Sequence, residues 1–184
     1  MTDCDLITKL IQKAEENQRQ LAKGKEAMMD LCFHPQIGPG YVASFLNSRI
    51  AYHNKFDPGA TDNEDPLNPT HSSQNTNGLL RCFAVLQEIV SKFKLAKSGP
   101  FSLGPILEIL VPGVQHRHSK PIRDLTLKIL VELHKKGHSI NTNRLEKLGL
   151  SAQYISQIEN KLAKIKPVAP KDEKRMSDFL ISQE

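Results

Sequence analysis

Tryptophan is absent from the 184 residues, aromatic side chains make up only 5% of them, and cysteine occurs three times. So few aromatics leave little with which to stack unpaired bases, and Phe83, Phe93 and Tyr154 fall on apolar stripes, where a core role is expected. Cys4, Cys32 and Cys82 are too few and too scattered for a disulfide framework, and no two stand at the close spacing of a thiolate metal site. A reducing, intracellular setting is expected. No run approaches the roughly 18 apolar residues of a membrane span, and the opening residues lack the basic start and apolar stretch of a secretory signal. The sequence also lacks a GxSxG elbow, a phosphate-cradling glycine loop after a strand, and an HExxH helix. No catalysis, cofactor or metal is therefore expected. Alternating β-branched runs bounded by hairpin turns are missing too, which argues against strands.

What remains is helical spacing, with 39% hydrophobic residues, enough for one core, and a net charge of +5. A first helix is expected over 3–33, capped by Thr2 with Asp5 three residues on, and broken in two by Gly24. After Pro35 and Gly38-Pro39-Gly40, the residues Val42, Phe45, Leu46 and Ile50 mark a second helix, over 37–53. Residues 54–76 turn to Pro, Asp, Asn, Ser and Thr and read as a long polar loop. Leu79, Leu80, Phe83, Leu86, Val90 and Phe93 then stripe a third helix, over 77–96. Helices follow over 102–115 and over 120–136, the latter with Ile122, Leu125, Ile129 and Leu133 on one face and Gly137 as its stop. A short piece at 141–148 and a last helix at 151–166, N-capped by Ser151, complete a helical-repeat domain over 1–166. Residues 167–184 read as a charged, flexible tail. The expected fold is all-α: antiparallel helix pairs stacked as a short HEAT/armadillo-like α-solenoid.

Charge is concentrated in the middle. Residues 77–136 carry ten lysines and arginines against four acids, a patch suited to an acidic partner, with nucleic acid as the alternative to protein. His116 and His118 sit in the turn before the 120–136 helix, and His134 and His138 stand four apart. With no glutamate of the HExxH kind and no nearby cysteine, these read as histidines at helix ends rather than metal ligands.

A family resemblance becomes visible in "HSKPIRDLTLKILVELHKKGH", which resembles the second helix of a HEAT repeat: Pro121, Ile122 and Arg123 precede aliphatics at three- and four-residue spacing. The longer stretch "LEILVPGVQHRHSKPIRDLTLKILVELHKKGH" is similar to a late repeat of the TOG-type HEAT arrays of the ciliary-tip centrosomal TOG protein family. "MMDLCFHPQIGPGYVASFL" and "LLRCFAVLQEIVSKF" follow the same order, so the likeness covers residues 20–166. It implies a non-catalytic scaffold that binds a protein partner in the microtubule, centrosome or ciliary apparatus, with tubulin among the candidates, and a cytoplasmic, cytoskeletal location. It also implies that contacts come from loops joining the two helices of a repeat, here 34–38, 54–76 and 115–120. Arg117 and Lys120 are the leading contact candidates, with His116, His118 and Arg81 beside them, and Arg123 is expected to bond an acid or carbonyl of the neighbouring repeat.

Overall fold

The structure, a computed structural model, describes residues 9, 18–55 and 69–165. Among these residues the chain is all-α, with seven helices and no strand. They are α1 (Gln18–Phe33), α2 (Gly38–Lys55), α3 (Pro69–Lys92), α4 (Leu103–Val114), α5 (Lys120–Lys135), α6 (Thr142–Lys147) and α7 (Ala152–Leu162). The expected cap at Thr2, most of the helix before Gln18, and the 167–184 tail lie outside the described residues.

Each helix packs on the next in the pairs α1–α2, α2–α3, α4–α5 and α6–α7, while α1, α3, α5 and α7 touch in succession and α2 touches α4. The apolar stripes explain this pattern. Val42, Leu46 and Ile50 on α2, Phe83, Leu86 and Ile89 on α3, Ile106, Leu107 and Leu110 on α4, and Ile122, Ile129 and Leu133 on α5 lose all contact with water. Burial of that kind contributes about 1.5–3 kcal/mol for each large side chain, so the stripes decide which faces meet. Cys32 belongs to this core, where burial pushes its thiol up to about 11.

Two long-range ties fix the direction of the odd-numbered helices. Phe33, the last residue of α1, lays its ring 4.9 Å from that of Phe93, just past α3. Lys136, just past α5, extends its ammonium to the carbonyls of Val90, Ser91 and Phe93 at 2.5, 2.7 and 3.1 Å. The C-terminal ends of α1, α3 and α5 therefore share one edge of the molecule. Burial holds the Lys136 amine below its usual pKa, with Glu132 one turn back pulling the other way. The carbonyl cluster that Lys136 caps is the negative end of the α3 dipole, where a cation is favourable.

Several expectations need correction. α1 passes through Gly24 without a break, because the residue is buried and packing outweighs the ~1 kcal/mol that glycine costs a helix. The loop expected at 54–76 is helical at both ends: α2 runs through Lys55 and α3 begins at Pro69. Pro69 takes the first helical position, where its fixed φ suits a helix and its missing N–H costs nothing. Extending a helix that Leu79 and Phe83 already anchor adds a hydrogen bond per residue, so polar residues can join without an apolar face. The last helix ends at Leu162 rather than 166.

The expected stop at Gly137 is present in detail. Its φ of 83° is left-handed, its N–H donates to His134 O at 2.9 Å, and His138 N–H donates to Leu133 O at 3.1 Å. Gly149 repeats the device after α6, with φ 89° and bonds from Gly149 N–H to Glu146 O and from Leu150 N–H to Leu145 O. Leu145 and Leu150 are both buried, so this second turn is anchored from beneath.

Candidate functional site

The turn between α4 and α5 is held from inside. Ser119 caps α5, its hydroxyl accepting from Ile122 N–H at 3.4 Å, and its own N–H donates to His116 Nδ1 at 3.1 Å. Arg123, one turn into α5, folds its guanidinium back, so that Nη1 donates to His116 O at 2.5 Å and to Arg117 O at 3.2 Å. Charge-assisted bonds of this kind are the stronger sort, about 1.5–3 kcal/mol each. Arg123 is thus structural, as its sequence position implied, but its carbonyls belong to its own turn rather than to a neighbouring repeat.

His116 is corrected by the same geometry. It is 5% exposed and part of the turn's internal bonding, so it is not presented on the surface as the sequence reading expected. Arg117, His118 and Lys120 are exposed. The structure therefore brings these three together on one rigid tip and removes His116 from the set. Arg81 stands apart: it is half-buried on α3, near the level of Phe83, which faces Thr126 of α5 across Gly113.

Sequence reasoning missed Gln115. This C-cap residue of α4 sends its amide to the turn after α6: Nε2 donates to Gly149 O at 3.0 Å, and Oε1 accepts from Ser151 N–H at 3.4 Å. Both ends of the amide are satisfied in that orientation and neither would be if it flipped. The partners lie 34 and 36 residues away, a distance at which spacing gives no signal.

The cations of 77–136 do not form one continuous face. Lys92 sits 2.9 Å from Glu88, which Lys25 also approaches at 3.4 Å; the hydrogen bond from Lys92, ahead of the contribution from Lys25, holds that carboxyl below its usual range. Arg123 and Lys136 are turned onto carbonyls. Lys128 and Lys135 share a groove of about 370 Å³ with Asp124 and Glu132, floored by Leu127 and Val131. Of the remaining cations, Lys94 and Lys97 are exposed just past α3, and Arg117 and Lys120 are exposed at the 115–120 turn.

A second groove, about 520 Å³, lies at the other end of α5, lined by His134, His138, Ile140, Glu159, Leu162 and Ile165. Among the described residues no three His, Cys, Asp or Glu side chains gather as a metal site would need. Burial, and then the nearby Lys136 ammonium, hold the His138 imidazole below its usual pKa of 6.5. A base whose folded pKa is depressed binds protons better when unfolded. Stability is therefore expected to fall as pH drops from 6.5 through the lower folded value. Replacing His138 with Asn should flatten that part of a Tm-against-pH curve; an unchanged slope would assign it to other histidines.

No described helix is long and apolar enough to cross a membrane. No family model matches the chain, and no curated protein or solved structure matches it either.

Proposed function

We propose that the chain is a non-catalytic helical-repeat scaffold, a short HEAT/armadillo-like α-solenoid similar to the TOG-type arrays. It docks a protein partner of the microtubule, centrosome or ciliary apparatus, tubulin among the candidates, in a cytoplasmic and cytoskeletal setting. Support for the solenoid comes from the helix contacts: α2–α3 and α4–α5 behave as successive pairs, with α1 before them and the shorter α6–α7 pair after. Support for the docking edge comes from one observation above the others. Arg117, His118 and Lys120 are exposed on a turn whose backbone is tied down by Arg123, His116 and Ser119. A cation held on a rigid support loses little conformational freedom when it meets a carboxylate, which is where complementary charge yields specificity and rapid encounter.

Co-sedimentation with stabilised microtubules, and gel filtration with free tubulin, test this at low and physiological salt. Binding should persist at physiological salt, and replacing both Arg117 and Lys120 by Glu should weaken it about tenfold or more with helicity unchanged. Equal binding by the reversed variant would remove this edge from the reading. Affinity for duplex or single-stranded nucleic acid that exceeds that for tubulin and collapses with salt would favour the nucleic-acid alternative.

A further inference from the structure

The Gln115 amide does more than satisfy a helix end. It joins two turns that each lead from one helix of a pair to the next: 115–119, between α4 and α5, and 148–151, between α6 and α7. Both turns are internally fixed, the first by Arg123 and Ser119, the second by the left-handed Gly149 and the buried Leu145 and Leu150. A two-point link between two rigid turns leaves them little freedom to move separately. Beside the second turn, at the last position of α6, stands Lys147, which is exposed and had no place in the expected site.

We infer that the docking edge is composite: Gln115 clamps the 148–151 turn to the 115–119 turn, so that Lys147 joins Arg117, His118 and Lys120 in one surface for a carboxylate-rich protein segment. This rests on the scaffold reading above and names its partner's chemistry. Lys147 stands two residues before Gly149, and Arg117 two residues after Gln115, on either side of the hydrogen bond that joins those two residues. The acids near these cations are Glu146, next to Lys147, and Asp124, one turn into α5; both are exposed, and they leave the edge cationic. Gln115 acts as a positioning residue and makes no contact of its own with the partner.

The test uses the full chain and stabilised microtubules as the probe, at physiological salt. Lys147→Glu and Gln115→Met, the latter similar in length with neither hydrogen-bonding group, are each expected to weaken binding about three- to fivefold, with circular dichroism unchanged. In the Gln115→Met background, Lys147→Glu should lose most of its effect while Lys120→Glu keeps its own. A merely structural glutamine would not produce that selective non-additivity. Hydrogen exchange at the Ser151 amide should accelerate in Gln115→Met. If Lys147→Glu and Gln115→Met bind like the unaltered chain while reversal of Arg117 and Lys120 still weakens binding, the composite edge is overturned and the single-turn edge stands. If the unaltered chain fails to bind at either salt, the scaffold reading falls and this inference with it.

Discussion

Substituting alanine at Gly113 is expected to destabilise the chain by about 1–3 kcal/mol and to lower Tm by roughly 5–10 °C. Ordinarily glycine to alanine inside a helix helps, by up to about 1 kcal/mol. Here a Cβ at position 113 would collide with the Thr126 methyl of α5 and stand 2.9 Å from Cζ of Phe83 of α3. Neither neighbour can yield easily. Both are fully buried, and Thr126 is further tied by its hydroxyl to Ile122 O and Arg123 O at 2.9 and 3.0 Å. The bare glycine is what lets α4 approach Thr126 of α5 and Phe83 of α3 so closely. Gly40→Ala is the control: nothing lies within 4 Å of its Cβ position, and the change should be neutral or slightly stabilising. A Gly113→Ala Tm equal to that of Gly40→Ala would show that the three-helix contact has slack.

The second large effect is expected at Lys136. Its ammonium serves three carbonyls at the end of α3, across 43–46 residues of sequence. Truncation to alanine removes that cap and leaves carbonyls at a partly buried helix end without their donor. A loss of about 2–3 kcal/mol follows from the usual worth of bonds to a charged group. Arginine should recover part of it and methionine none, since the packing of the stem alone does not supply a donor. Chemical denaturation would read this directly. Methionine as stable as lysine would mean that those carbonyls are satisfied by water.

Much of the fold is legible in the sequence because an apolar stripe at helical spacing is a statement about which face can be buried. Leu79, Phe83, Leu86 and Val90, or Ile122, Ile129 and Leu133, announce α3 and α5 and supply their buried faces. Gly137 after Lys136 marks the C-terminal end of α5 by the same local chemistry that the structure uses. The first two turns of α3 escape that logic, since residues 69–76 are polar and are carried by a helix anchored further on. The candidate site is legible only in part. Exposure of Arg117, His118 and Lys120 agrees with their place in a cationic turn, whereas the burial of His116 depends on where a backbone carbonyl and an amide happen to meet. Gln115 and Lys136 look alike from sequence: each is a polar residue just past a helix. Their roles come from groups more than 30 residues away, which no periodicity encodes.

α6 is only six residues long, too short to hold its shape without neighbours. Its ties to the rest of the chain are few: Leu145 in the core, the Gln115 amide at its far end, and the Arg144 side chain lying over Gly104. α6 is thus the described helix that should open first, in a sub-global excursion that leaves α1 to α5 folded. Such an opening would carry Lys147 away from Arg117, His118 and Lys120. A partner that engages both turns would oppose it by mass action, so occupancy at the proposed edge and order in α6 would rise and fall together.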